Sequence, residues 1–471
     1  MRKTAKLGIL LGVLLVICVA VFVISRMEQK KEDIKNSGEV ILTIPTDSVT
    51  ALSWTNEEGT FSFTKDGTWK YDDDAAFPVD EEKINKLLSP LESFTAAFVI
   101  NNVTDYEQYG LGTPACTVTV TAGEEKHTVS LGDISKMDSQ RYVSIGDGKA
   151  YLTQHDLMDE FDAVLREMIR DDTVPSIDTA EKITFSGTER YTVTRNEEGK
   201  SICAKDIYFA DGKPLDTNKV DSFISALKSL GLNNYASYNV SEEELKTFGM
   251  KEPEQTVEVA YKSKDSDGNK GSDGNYVLHL SRNPEEAAAY AAAVREKAEK
   301  LPEVSCYARV GDSQIVYKIT EKEYDALTAV SYNALRHQEL FTADLNEVTS
   351  VDIRLNGETY SFVHQKAPEG DAASEEDSWT CLEKEFDAED FKNALTGLVS
   401  DSFTDQAAEG QEEISLVFHL DNADFPSFQL TLYRYDGTNC FAEIDGAPAA
   451  LVSRSQTVAL IEAVNKVVLT K

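Results

Sequence analysis

The sequence predicts an α+β protein, with an N-terminal transmembrane helix followed by three divergent tandem hairpin/helix repeat units. Three observations predict it. A long apolar stretch lies close to the N-terminus, the same alternating strand triplets recur three times, and an Asp-led amphipathic stripe follows each set of triplets.

The apolar stretch comes first. Arg2, Lys3 and Lys6 precede Leu7–Ile24, which only Gly8 and Gly12 interrupt. At a rise of ~1.5 Å per residue it measures about 27 Å, one hydrocarbon core. Signal-peptide apolar regions are usually shorter, so the reading is an uncleaved anchor. The alternatives are a cleaved signal and a lipoprotein. Leu15-Val16-Ile17-Cys18 approaches a lipoprotein box, but Ile17 stands where a small residue is needed. Arg26, Lys30, Lys31 and Lys35 follow the span, so counting positive charges does not decide its orientation. The short basic tail places residues 1–6 in the cytoplasm, the anchor at 7–24 and a linker at 25–48. The bulk of this single-pass cell-membrane chain is then extracytoplasmic.

Repeats organise the rest. Leu52-Ser53-Trp54, Ile183-Thr184-Phe185 and Val351-Asp352-Ile353 open three similar segments. Each is followed by an alternating triplet: Phe61-Ser62-Phe63, Tyr191-Thr192-Val193 and Tyr360-Ser361-Phe362. Period-two alternation across a Gly- or Asn-bearing turn predicts a hairpin. Asp80, Asp216 and Asp387 are then candidate N-caps of a helix. Apolar residues follow each at the same offsets: Ile84, Leu87 and Leu88; Val220, Phe223 and Ile224; Phe391, Ala394 and Leu395. That spacing lays one stripe against the sheet.

A corner, Tyr109-Gly110-Leu111 with Pro114, matches Phe248-Gly249-Met250 with Pro253, and the third copy lacks it. Further strands, a last hairpin and a closing helix (Asp156–Ile169, Glu321–Leu335, Ser455–Val467) complete each copy. The boundaries are 49–178, 179–346 and 347–471. The second copy carries an insertion at 262–304, read as the loop Lys262–Asn275 and the helix Glu285–Leu301; the third carries a loop insertion at 366–378.

The net charge of −36 repels phosphate backbones, which argues against nucleic acid as a partner. The six histidines are scattered without a ligand spacing, so no metal site is expected. Ser225-Ala226-Leu227-Lys228 has the spacing of a serine acyl enzyme but no Lys-Thr-Gly partner, and reads as a helix surface. Asp265-Ser266-Asp267-Gly268-Asn269 offers calcium-type oxygens with no closing glutamate, and reads as a solvated linker. No catalytic residue, cofactor or metal ligand is assigned, and the expectation is a non-enzyme.

The cysteines carry the sharper pattern. Cys203 and Cys381 align on a third strand, Cys306 and Cys440 at the start of the last hairpin, and the first copy lacks both. Positions gained or lost together suggest contact. Cys203–Cys306 and Cys381–Cys440 are therefore candidate disulfides, with buried thiol pairs or coincidence as alternatives. Cys116 is left over as a buried strand residue.

The span, the tandem hairpin-helix copies, the Tyr109-to-Pro114 corner and the strand-turn-strand tails resemble the bacterial family called "domain of unknown function 4340". The resemblance implies a companion of ABC-2-type transporters of the gliding-motility kind, working beside a permease and an ATPase. It supplies no catalytic residues. The resulting expectation is a membrane-anchored accessory scaffold of an export or envelope-assembly system. An extracytoplasmic ligand sensor and a wall or polysaccharide enzyme using Asp72, Asp73 and Asp74 are the rival readings.

Overall fold

The computed structural model describes residues 38–469 except 138, 265–269 and 367–376. The expected anchor at 7–24, its basic tail, the calcium-like Asp265–Asn269 and most of the loop at 366–378 lie outside the described residues. Among the described residues no helix is long and apolar enough to cross a membrane.

The expected class, α+β with hairpin/helix repeat units, is corrected: among the described residues the chain is mostly β-sheet. Strands dominate the chain and form four antiparallel sheets, while most helices are short. The physical reason lies in the sequence. Val, Thr, Tyr and Phe alternate with period two far more often than any apolar stripe recurs at helical spacing.

A short strand β1 (Glu39–Leu42) leads into β2 (Val49–Asn56), β3 (Gly59–Asp66) and β4 (Thr68–Tyr71). Helix α1 (Glu81–Leu88) follows, then β5 (Phe94–Ala96), which pairs with β1, and β6 (Phe98–Ile100). The strands β7 (Cys116–Ala122), β8 (Glu125–Ile134), β9 (Arg141–Ser144) and β10 (Ala150–Thr153) complete the first large sheet. Its spatial order is β4-β3-β2-β7-β8-β9-β10-β6. Helix α2 (Met158–Phe161) closes this copy.

The second sheet uses β11 (Thr179–Ser186), β12 (Arg190–Arg195), β13 (Tyr208–Ala210) and β14 (Lys213–Pro214). Helix α3 (Thr217–Lys228), strand β15 (Tyr235–Ser237) and helix α4 (Glu242–Thr247) come next. Then follow β16 (Gln255–Lys264), β17 (Lys270–Arg282), helix α5 (Pro284–Arg295), β18 (Cys306–Val310), β19 (Val316–Ile319) and helix α6 (Glu321–Thr328). The order runs β14-β13-β12-β11-β16-β17-β18-β19.

The third sheet has β20 (Val348–Leu355), β21 (Glu358–Gln365), β22 (Ser378–Cys381) and β23 (Lys384–Phe386). Helix α7 (Glu389–Thr396) precedes β24 (Ser400–Phe403), β25 (Glu412–Leu420), β26 (Ser427–Arg434), β27 (Asn439–Ile444) and β28 (Ala447–Ser453). Helix α8 (Arg454–Val468) ends the described chain. The order is β23-β22-β21-β20-β25-β26-β27-β28-β24; its run from β22 to β28 matches β4 to β10 in the first sheet and β13 to β19 in the second, and β23 has no counterpart in the first. Along β2 and β20 even the sequence of buried and exposed residues is the same.

Each core sits between its sheet and the capped helix. Trp54 stacks on Phe63 at 5.4 Å in the first copy. Phe185 meets Phe223 of α3 edge-on at 5.0 Å, and Phe362 meets Phe391 of α7 at 5.2 Å. The expected helix stripes divide. Ile84, Leu87, Leu88, Val220, Phe223, Phe391 and Leu395 are buried, while Ile224 and Ala394 are only partly so. Full burial of one such large side chain stabilises by ~1.5–3 kcal/mol.

Asp80 and Asp216 cap their helices as expected. In the third copy the cap position is Ala388, although the Asp387 carboxylate still accepts from the Glu389 N–H at 2.9 Å. Within the expected loop Lys262–Asn275, residues 262–264 and 270–275 are strand instead, because β16 and β17 stay paired out to Lys264 and Lys270.

The chain forms two compact units. One holds the residues up to Asp172 together with 233–241 and 314–316, and contains the first sheet. The other holds 173–232, 242–313 and 317–471, with the second core and the third sheet.

Candidate functional site

In the second compact unit, three metal-ligating side chains from distant parts of the chain converge. The connection between β12 and β13 spans residues 196–207 and is closed at its base by the Asn196 N–H, which donates to the Ile207 carbonyl at 2.7 Å. Within it the Ser201 hydroxyl donates to Asp206 Oδ2 at 2.7 Å, and the Asp206 N–H donates to the Cys203 carbonyl at 3.0 Å. The Cys203 N–H in turn reaches Ser201 Oγ at 3.2 Å. These bonds fold residues 201–206 into a tight cup that leaves the Asp206 side chain only 2% exposed.

His337 arrives from the other side. A 3₁₀ turn at Asn333–Leu335 follows α6, and the Leu335 carbonyl accepts from the Asp216 N–H at 3.0 Å. Lys219 Nζ donates to the Arg336 carbonyl at 2.7 Å. The N-terminus of α3 thus pins the backbone just before His337. The imidazole Nε2 lies 2.9 Å from Asp206 Oδ1 and 3.0 Å from Oδ2.

Ligand atoms of Cys203, Asp206 and His337 all lie within 4.8 Å of one another, and those of Asp216, His337 and Glu339 form a second, overlapping group. Burial works against the His337 imidazolium. The Asp206 hydrogen bond and charge, with Asp216 and Glu339, outweigh it and hold the ring above its ordinary pKa. Burial pushes the Cys203 thiol up.

Sequence reasoning assigned parts of this cluster to other roles. The sequence pattern makes Cys203 a candidate disulfide partner, Asp216 a helix cap and His337 one of six scattered histidines, and it gives Asp206 no role. Asp206 and His337 are 131 residues apart, and no spacing rule connects them. Only the recurrence of the repeat, which brings the end of each copy back to its start, could have suggested the contact.

The expected disulfides are not formed. Cys203, Cys306, Cys381 and Cys440 are free thiols. The alignment is right for Cys306 and Cys440, which occupy corresponding strands β18 and β27. It fails for Cys203, which lies in a loop, and Cys381, which lies on β22. Five strand spacings of ~4.8 Å separate β22 from β27 along the sheet, about 24 Å, whereas a bridge needs Cα atoms within ~7 Å. Cys381 shares a groove with Lys466, Val467 and Val468 at the end of helix α8. Cys116 is buried on β7, as expected.

Two of the three carboxylates of the rival enzyme reading, Asp73 and Asp74, are hydrogen-bonded to neighbours. Asp73 accepts from the Tyr71 hydroxyl at 3.0 Å, and Asp74 from the Ala76 N–H and the Tyr238 hydroxyl at 2.9 and 2.7 Å. The Tyr238 hydrogen bond is the main reason the Asp74 carboxyl sits below its ordinary pKa. Ser225 Oγ donates back to the Asp221 carbonyl at 2.8 Å, a helix-surface bond with no acceptor base. Two open grooves flank α7. One, about 590 Å³, is lined by Asp377, Trp379, Glu385 and Lys392, and the other, about 320 Å³, by Leu382, Phe386 and Lys466.

The family described as a domain of unknown function (DUF4340) matches residues 69–253 and again residues 210–414. The chain belongs to this family. The two matches overlap, the second beginning near the third strand of the second copy as the first begins on the third strand of the first. No curated protein and no solved structure matches the chain.

Proposed function

We propose that the protein is a non-enzymatic accessory scaffold. In this reading it is attached to the cell membrane, acts outside the cytoplasm, and docks the permease and ATPase assembly of an ABC-2-type export or envelope-assembly system. One observation carries the reading: the same strand order is built three times, with different side chains on the outer connections of each copy. An enzyme concentrates reacting groups in one water-excluding cleft, whereas repeated sheets present several faces at fixed spacing. The carboxylates available for an enzyme reading are engaged by tyrosines and backbone. The net charge of −36 favours a partner with basic docking surfaces.

The test is affinity capture of the tagged full chain from detergent-solubilised membranes, followed by mass spectrometry. Recovery of a stoichiometric ABC permease and ATPase is expected. A chain found wholly in the soluble fraction, or captured without any transporter subunit, overturns the proposal.

A further inference from the structure

We propose that Cys203, Asp206 and His337 form a binding site for one Zn²⁺ or a similar first-row divalent ion, which clamps the second sheet to the segment leading into the third. The donor set is one thiolate sulfur, one carboxylate oxygen and one imidazole nitrogen. Mixed sulfur and nitrogen ligation selects zinc over magnesium or calcium, which take oxygen alone. Three protein ligands leave a fourth tetrahedral position for water.

The distances suit this assignment. Bonds of ~2.0–2.3 Å place tetrahedral ligand atoms roughly 3.3–3.8 Å apart. Asp206 and His337 already lie at 2.9–3.0 Å, and Cys203 Sγ lies within 4.8 Å of both. Closing the set needs about 1 Å of movement from Cys203, which sits half-buried in a loop and is not fixed in a strand ladder. On binding, the thiol proton and any proton on His337 Nε2 leave to solvent. No oxidation or bond cleavage is involved.

Outer groups are in place as well. Ser201 Oγ donates to Asp206 Oδ2 and fixes the carboxylate. Asp216 and Glu339 place carboxylate oxygens within 4.8 Å of a His337 ring nitrogen, and either one closing to hydrogen-bond distance would supply the outer acceptor of a metal-bound histidine. The buried Asp206 and the pinned backbone at Leu335 and Arg336 hold two of the three ligands before any ion arrives.

The location gives the ion a structural task. Residue 337 begins the segment that joins the third sheet. The Ser400 N–H donates to the Gln338 carbonyl at 2.7 Å, and the Leu340 N–H donates to the Leu398 carbonyl at 3.0 Å. Next to Cys203 in the chain, Ile202 packs against the third core. An ion held by Cys203 and Asp206 on one side and His337 on the other would tie both ends of this junction.

The experiment uses the full chain, stripped with chelator and titrated with Zn²⁺ and then with Co²⁺. One equivalent of Zn²⁺ should bind, and Co²⁺ should give the near-ultraviolet charge-transfer band of a thiolate ligand. Cys203→Ser should abolish that band while leaving far-ultraviolet circular dichroism unchanged, because the residue lies in a loop. Ser201→Ala, which removes only the outer support, should weaken Zn²⁺ binding ~10–100-fold. A wild-type chain that binds no Zn²⁺ at micromolar free metal overturns the site. So does a Co²⁺ complex without the thiolate band, or a Cys203→Ser chain that binds as wild type.

Discussion

Replacing Gly249 by alanine tests the corner that links the first helix of a copy to its later strands. Gly249 has φ +70°, and a Cβ there would meet Ser281 Oγ and lie 2.6 Å from the Arg282 carbonyl oxygen. Neither neighbour can yield easily. Ser281 is buried on β17, and Arg282 is held in the ladder opposite Cys306 of β18. Left-handed backbone costs a residue with a Cβ about 1–2 kcal/mol, and forced overpacking adds about 1–3 kcal/mol. Gly249→Ala should therefore destabilise the second sheet by roughly 3 kcal/mol.

Gly311 supplies the control. Its φ is +46°, and nothing lies within 4 Å of a Cβ placed there, so Gly311→Ala should cost the backbone term alone. Native-state hydrogen exchange reads both. With tenfold per ~1.4 kcal/mol, the protected amides of Leu278 and Leu280 should exchange ~10²-fold faster in Gly249→Ala and ~10-fold faster in Gly311→Ala. Equal acceleration in the two variants would refute the close-approach argument and leave only the backbone cost.

Three further outcomes are expected. Asp80→Ala should cost ~1 kcal/mol in urea denaturation and more than Asp387→Ala, because Asp80 accepts from the Glu82 and Lys83 N–H groups and Asp387 from Glu389 alone. Trp54→Phe should cost ~0.5–1.5 kcal/mol, since the Ala163 carbonyl loses the Nε1 donor 2.8 Å away but keeps Asn56 Nδ2 at 3.2 Å; an unchanged urea midpoint would contradict this. Burial works against the Glu323 carboxylate, but hydrogen bonds from Thr320 Oγ at 2.7 Å, Thr320 N at 2.9 Å and Gly231 N at 3.4 Å outweigh it and hold its pKa below the ordinary value. A depressed carboxyl stabilises the fold above its unfolded value. That stability should fade from about pH 5 downward, and a Glu323→Gln variant should show a flatter acid-unfolding profile.

Period-two alternation made the central strands legible: Leu52 and Trp54, Ile183 and Phe185, Val351 and Ile353 all face a core as read. The closing helix of the first copy was not legible, and the reason is tertiary. Asp156–Ile169 carries a helical pattern, yet only Met158–Phe161 is α-helical, with a separate 3₁₀ turn at Leu165–Met168. Asn56 Nδ2 donates to the Phe161 carbonyl at 3.1 Å, and Trp54 Nε1 donates to that of Ala163. Those carbonyls would otherwise accept from the next helical turn. Partners about a hundred residues away outcompete local propensity here, and no window of sequence contains both sides of the contest. The cysteine pairing failed for a related reason. Equivalence between copies fixes which strand a residue occupies but not the distance between two strands of one sheet.

The candidate metal cluster stands in a connection that is much longer in the second copy than in the first. Between the second and third strands of the first sheet there is only the turn through Gly67, with φ +75°, too short to offer a ligand. The same connection in the second sheet is the loop at 196–207 that holds Cys203 and Asp206. Lengthening a connection at a sheet edge disturbs no ladder bond, and loop closure costs only ~0.6 kcal/mol per doubling of length. A repeated frame can therefore acquire a site in the second copy while the first keeps the short turn. On this argument, grafting the Asp66–Gly67 turn in place of residues 196–207 should leave the β11–β12 pairing intact and remove Zn²⁺ binding altogether. Loss of the β12 ladder in hydrogen exchange would show instead that the loop is needed for the fold, and that its chemistry is secondary to its packing.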